Sequence, residues 1–180
     1  MLFRSGIAHW RKKYDREEYP RYRPGQVREI ADNVLLYQRA DGGWPCNLDP
    51  TRILEEKERR AIAAEKGKRD ASFDNRNSYT QTEYLARAFG RTGDERCRDG
   101  CRRGLEYILA AQYDNGGFPH SWPKPGGYYP HVTIVDDVMV GVLATLRRAA
   151  AGAEPFGFLD RKSTRLNSSH SSVSRMPSSA

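Results

Sequence analysis

The residues of this chain best suited to chemistry fall in two polar pairs, Asp74-Asn75 and Asp136-Asp137, with a Gly-Gly-Phe-Pro turn at 116–119 between them. Each pair stands just ahead of an apolar-periodic run. A carboxylate in that place can cap the coming helix, face the positive end of its dipole, or hold a cation. Capping is the commonest of the three, so neither pair by itself establishes a metal site. His131, set between Pro130 and Val132, reads equally as a groove residue or a packed loop residue, while His9, His120 and His170 have no evident partner and receive no role. Trp44, Phe118 and Trp122 read first as packing aromatics, and Trp122 is also carried as a binding candidate. Cys46, Cys97 and Cys101 cannot all pair with one another and lack the His or Cys company of a zinc site, so they read as plain thiols.

The elements that must position these groups are helical. Val27, Ile30, Ala31, Val34 and Leu35 share one face of a run that stops at Gly42-Gly43, which predicts a helix over about 26–38. The same periodicity predicts helices over about 80–90 (Tyr84, Leu85, Ala88, Phe89), 95–112 (Cys101, Leu105, Ile108, Leu109) and 137–150 (Val138, Met139, Val142, Leu143, Leu146). Thr51 to Lys68 is rich in Glu, Lys, Arg and Ala but poor in large apolar groups, the pattern of a solvated helix. Residues 1–25 mix aromatics, charges and prolines without a sustained period and read as an irregular lead-in with room for one short helix.

A repeat runs through these elements. Gln38 to Pro45 (Gln-Arg-Ala-Asp-Gly-Gly-Trp-Pro) aligns with Gln112 to Pro119 (Gln-Tyr-Asp-Asn-Gly-Gly-Phe-Pro). In the helices before them Val27 matches Cys101, Ala31 matches Leu105 and Val34 matches Ile108, while Ile30 falls opposite Gly104 and breaks the series. A helix that ends at a Gly-Gly turn cannot bury its apolar face alone, so copies must stack, and the expected fold is all-α, an α/α toroid, partial and open, of paired helices with long loops.

Composition narrows the function. The 180 residues carry a formal charge of +7, but four of the 30 basic side chains follow Asp160 in a stretch without acids, leaving 26 basic against 23 acidic residues, a net +3, in 1–160. That mild excess suits an acidic ligand such as a polyanionic carbohydrate; there is no basic stripe with interleaved aromatics, so no nucleic acid is expected. No apolar run reaches the roughly 18 residues of a membrane span, and no signal peptide is evident. Arg161 to Ala180, with seven serines in its last thirteen positions and no apolar period, reads as a disordered tail, and it resembles read-through of a sequencing adapter. The expected division is therefore a lead-in over 1–25, a catalytic domain over 26–160 lacking its C-terminal part, and the tail over 161–180.

The ordered set Tyr37-Gln38, Gly42-Gly43-Trp44-Pro45, Asp74-Asn75, Tyr79-Thr80-Gln81, Tyr84-Leu85-Ala86, Ala111-Gln112-Tyr113, Gly116-Gly117-Phe118-Pro119, His131-Val132-Thr133 and Asp136-Asp137-Val138-Met139-Val140 resembles the pectate lyases of polysaccharide lyase family 10. The resemblance extends from about Ile30 to Leu146. It implies an irregular α/α toroid with a groove across one end, acting as a monomer on polygalacturonate by calcium-assisted β-elimination, secreted or periplasmic in the full-length protein. Calcium takes six to eight oxygens, largely from carboxylates and water, and the family pattern makes Asp136 the first donor and Asp74 the second, with Asp137 beside them. Asn75 would then hydrogen-bond the substrate, with His131 at the groove.

The catalytic base in such lyases is an arginine, well downstream of the Asp-Asp motif, so no catalytic residue is assigned within this chain. Arg76 stands where relatives carry a small residue and receives no role. Phe118 in place of tryptophan, His120-Ser121-Trp122 in place of glutamine and an aromatic run, and Arg76-Asn77-Ser78 in place of Gly-Ala-Thr bear on fine specificity. Two other readings stay open: a toroidal glycosidase or unsaturated-glucuronyl hydrolase with Asp74 and Asp136 as acid and base, and a non-catalytic carbohydrate-binding toroid.

Overall fold

The computed structural model describes residues 2–123, 131–134 and 137–159. These contain six α-helices and no strand: α1 (Arg4–Tyr14), α2 (Val27–Tyr37), α3 (Glu56–Ala64), α4 (Tyr79–Thr92), α5 (Glu95–Ala110) and α6 (Val138–Ala151), with a single 3-10 turn at Asp74–Arg76. The four helices expected from apolar spacing are α2, α4, α5 and α6, each within two residues of its expected ends. Asp160 and the tail beyond it lie outside the described residues.

The lead-in contributes more than its composition suggests. Phe3, Ile7 and Trp10 fall on one face of α1 and are buried, and the basic last turn, Arg11 to Lys13, lies at the negative end of the helix dipole. Three well-spaced apolar side chains suffice for a short helix once a neighbouring surface receives them. The helix expected between Thr51 and Lys68 is shorter, as α3, and buries no residue; it is held by a capping box between Glu55 and Glu58.

At the centre, α4 and α5 form a helical hairpin. Gly93 ends α4 in the left-handed region at φ 67°, and Asp94 accepts the Arg96 amide at 3.0 Å to start α5. The two helices approach closely because α5 presents Gly100 and Gly104 to the facing Leu85 and Thr82. This explains the break in the repeat. A β-carbon at Gly104 would collide with Thr82 Oγ1 and sit 3.1 Å from the Trp44 ring, so the position opposite Ile30 cannot carry isoleucine. Restoring the repeat with Gly104→Ile is expected to lower stability by about 2–3 kcal/mol through overpacking, read from the urea midpoint.

The two Gly-Gly turns are equivalent bond for bond. Gln38 Nε2 donates to the Gly42 carbonyl at 2.9 Å and Gln112 Nε2 to that of Gly116 at 3.1 Å. Asp41 Oδ1 accepts the Gly43 amide and Asn115 Oδ1 the Gly117 amide, both at 3.0 Å. The Arg39 amide reaches the Gly43 carbonyl at 2.8 Å and the Tyr113 amide that of Gly117 at 2.9 Å. Gly42 and Gly116 take φ of 92° and 83°, a region open to glycine. The environments differ: Gln38 is buried, donating also to the Gly100 carbonyl at 2.9 Å and accepting from Arg103 at 2.8 Å, whereas Gln112 is exposed.

Beyond each turn the chain plants a fully buried aromatic, Trp44 or Phe118, against a core that includes Phe73 and Tyr107. Trp44 Nε1 donates to the Val34 carbonyl at 2.7 Å, which satisfies the indole inside the core. Not every periodic position is inward: Leu143 and Val140 of α6 and Ile134 before it are exposed. Cys97 and Cys101 are buried free thiols and Cys46 is half-buried and free; burial pushes the Cys97 thiol up to about 11, so it is unreactive near neutral pH.

Candidate functional site

After the buried aromatics, the two turn arms run along either side of the segment Ala71 to Phe73. The Ser72 amide donates to the Trp44 carbonyl at 3.0 Å on one side, and the Phe73 amide to the His120 carbonyl at 2.9 Å on the other. Isolated antiparallel bridges pair Pro45 with Ala71 and Ser72 with Ser121. Thus equivalent positions of the repeat, Cys46 and Asn47 in one arm and His120 and Ser121 in the other, flank the chain as it enters Asp74.

That entry is strained. Asn75, Arg76 and Ser78 all have positive φ, at 53°, 64° and 60°, and non-glycine residues held there cost about 1 kcal/mol or more each. The conformation persists because polar side chains hold it from beneath. Asn77 Nδ2 donates to the carbonyls of Trp44 and Ser72, Ser78 Oγ donates to the Ser72 carbonyl at 2.7 Å, and Thr80 Oγ1 donates to the Arg76 carbonyl at 2.7 Å. Gln81 locks Asn77 in turn, donating to its Oδ1 at 2.8 Å.

The turn presents Asp74 and Asn75 half-buried. Asp74 does not cap α4: its Oδ1 accepts the Asn75 amide at 2.8 Å, and its Oδ2 accepts Asn75 Nδ2 at 3.0 Å. Asn75 Nδ2 also donates to Asn47 Oδ1 at 2.9 Å. The His120 Nε2 atom lies 3.2 Å from Asp74 Oδ1, with its Nδ1 3.2 Å from Ser121 Oγ. Burial, and next the charge of Asp74, push the Cys46 thiol upward.

Sequence reasoning found Asp74 and Asn75 but missed Asn47 and His120. The signal was present in the repeat, which pairs Asn47 with Ser121 and Cys46 with His120 once the alignment is carried past the two prolines.

The remaining sequence candidates stand differently. Asp137 is exposed at the start of α6 in the left-handed region, and its side chain makes no cap hydrogen bond. Its carbonyl accepts from Tyr79 Oη at 3.4 Å, which draws the α6 N-terminus toward the Asp74 turn. Asp136 lies outside the described residues. His131 is exposed, its carbonyl accepting from Thr133 Oγ1, and among the described residues no hydrogen bond joins it to Asp74 or Asn75. Trp122 is half-buried and packs edge-on against Tyr107, ring centres 5.5 Å apart, so packing is the role its contacts show. Arg76 is exposed and makes no ion pair with Asp74.

The oxygens gathered here, the two of Asp74 and the amide oxygens of Asn47 and Asn75, are hard donors of the kind calcium takes. Among the described residues no group of three His, Cys, Asp or Glu side chains is placed to hold a metal ion. The described residues by themselves therefore complete no metal site.

No curated protein sequence matches the chain. Among solved structures it is similar to a family 10 polysaccharide lyase from Cellvibrio cellulosa, with a TM-score of 0.66 and 28% identity over 93% of this chain and 48% of that one. A mutant of the Cellvibrio enzyme in complex with trigalacturonic acid matches with a TM-score of 0.68, at 28% identity and the same coverage. The chain thus spans about half the length of the structures it matches, and its helices are part of an α/α toroid. The family model for pectic acid lyase matches residues 38–173, beginning at the first Gly-Gly turn and taking in both turns and the Asp74 site. With about three quarters of its length inside that match, the chain belongs to the pectic acid lyase family.

Proposed function

We propose that this chain is the part of a pectate lyase that carries the calcium-holding side of the substrate groove, and that the complete protein cleaves polygalacturonate by calcium-dependent β-elimination. The observation that carries the reading is the strained Asp74-Asn75 turn, held by buried polar side chains and flanked by both repeat arms within the family match. Strain of that kind persists where a geometry is used.

Elimination removes the proton beside a uronate carboxylate, and the charge of that carboxylate and of the developing enolate must be neutralised. A calcium ion held here would supply this neutralisation. Asp74, with Asp136 and Asp137 from the start of α6, would hold it, and substrate carboxylate and water would fill the rest of the shell. Asn75 orients Asp74 and offers its Oδ1 to a sugar hydroxyl, Asn47 fixes the Asn75 Nδ2, and His120 holds Asp74 Oδ1 from the opposite side. The base arginine lies outside this chain. Acting on a polymer implies a secreted or periplasmic enzyme, and a monomer suffices.

The reading is tested by incubating the protein with polygalacturonate and following the ultraviolet absorbance of unsaturated uronate with calcium and with a chelator. The complete protein should give calcium-dependent product, and the 180-residue chain should bind oligogalacturonate without turnover. New reducing ends without unsaturation would replace the lyase reading with a hydrolase.

A further inference from the structure

A cleft of about 620 Å³ opens between the residues that lead into α1, the start of α2 and the face of α4. Its lining begins at Arg76, two residues beyond Asp74, and climbs α4 through Tyr84 and Arg87 to Arg91, over an apolar floor that includes Phe3 and Val27. Among the described residues no acid lines it. A second cavity, of about 580 Å³, is lined by five basic residues together with Glu58, Glu65 and Asp70, so much of its charge is met from within.

Two arginines of the first cleft, Arg87 and Arg91, keep donors available, whereas the Arg76 side chain hydrogen-bonds Tyr79. Arg91 is exposed, and its guanidinium has no hydrogen-bond or ion-pair partner among the described residues. Arg87 commits Nε and Nη2 to Glu83 Oε1, at 3.2 and 2.7 Å, which leaves Nη1. Arg76 is exposed and held in its left-handed conformation by the same turn that positions Asp74. Arg87 and Arg91 are neighbours on one helix face, and the climb along α4 from Tyr79 to Arg91 spans roughly 18 Å. A matching ligand carries carboxylates repeated along a body with an apolar face. An oligouronate has both, a planar carboxylate on each sugar for the guanidinium fork and C–H faces for the floor.

We propose that this cleft is a second, calcium-independent binding site for the polyuronate chain, distinct from the Asp74 cluster and anchored by Arg91 and Arg87. The inference rests on the polyuronate reading above. The cleft would hold a stretch of polymer beside the groove, raising local substrate concentration without taking part in the chemistry.

The test titrates trigalacturonate into the 180-residue chain in the presence of a calcium chelator, by calorimetry. Arg91→Gln is expected to weaken binding at least tenfold and Arg91→Glu to abolish it, while Asp74→Ala stays within twofold of the parent. A neutral galactose trisaccharide should not bind. As a second measurement that needs no variant, trigalacturonate should protect Arg91 from phenylglyoxal, mapped by mass spectrometry. Unchanged affinity in Arg91→Glu, absence of protection at Arg91, or equal affinity for a single-stranded DNA oligonucleotide would overturn the cleft. Loss of calcium-free binding in Asp74→Ala would also overturn it while leaving the lyase reading intact. Failure of trigalacturonate to bind with or without calcium would overturn both.

Discussion

Asp74→Ala in the complete lyase is expected to lower the elimination rate at least about 10³-fold, because on the proposed mechanism it would remove a carboxylate from the ion that neutralises the developing charge. Asp136→Ala should have a comparable effect. The fold should survive the first substitution. Asp74 is half-exposed, its hydrogen bonds are to the adjacent Asn75 and to His120, and none ties a helix to the core. The expected stability change is within about 1 kcal/mol, since surface-side substitutions away from buried networks rarely exceed it. Asp74→Asn is the sharper control: it keeps the shape and an acceptor oxygen but removes the charge, and should be nearly as inactive. Initial rates on polygalacturonate over a calcium series, with thermal melts of each variant, check this; full activity of Asp74→Asn would remove the carboxylate from the mechanism.

Glu83→Ala is expected to cost about 3 kcal/mol of stability, roughly 6–12 °C in the melting midpoint. Glu83 is the buried carboxylate joining α4 to α6: Arg87 Nη2 lies 2.7 Å from Oε1 and Arg148 Nη2 2.6 Å from Oε2. Deleting it leaves two guanidinium groups facing each other across the helix contact and a void beneath them. The estimate is at the low end for a broken buried pair because both arginines are partly exposed and can rehydrate. Activity should fall with stability, because Asp137, proposed as a ligand, directly precedes α6. Arg148→Ala should cost less, as Arg87 remains to hold Glu83. Urea unfolding of the three proteins separates these outcomes, and equal midpoints for Glu83→Ala and the parent would show that α6 is held by its apolar face alone.

Much of this protein was legible in one dimension. The limits of α2, α4, α5 and α6 followed from apolar spacing, and that of α4 also from Gly93, since a helix face and a left-handed stop are local properties of the chain. The Gly-Gly turns were legible for the same reason: Gln, Asp or Asn, and two glycines close each turn within six residues, and the hydrogen bonds form as the repeat implies. Asp74 and Asn75 stood out because they are adjacent. Tertiary structure alone decided what meets them. Asn47 reaches Asn75 from 28 residues away and His120 reaches Asp74 from the other arm, and their one mark in the sequence is the alignment of the two arms. It also decided that Gly104 must stay a glycine beneath Thr82 and Trp44, that α1 joins the core through Phe3 and Ile7, and that Val140 and Leu143 of α6 stay uncovered. A periodic pattern states that a face is apolar, but only the arrangement of the other helices determines what surface, if any, lies against it.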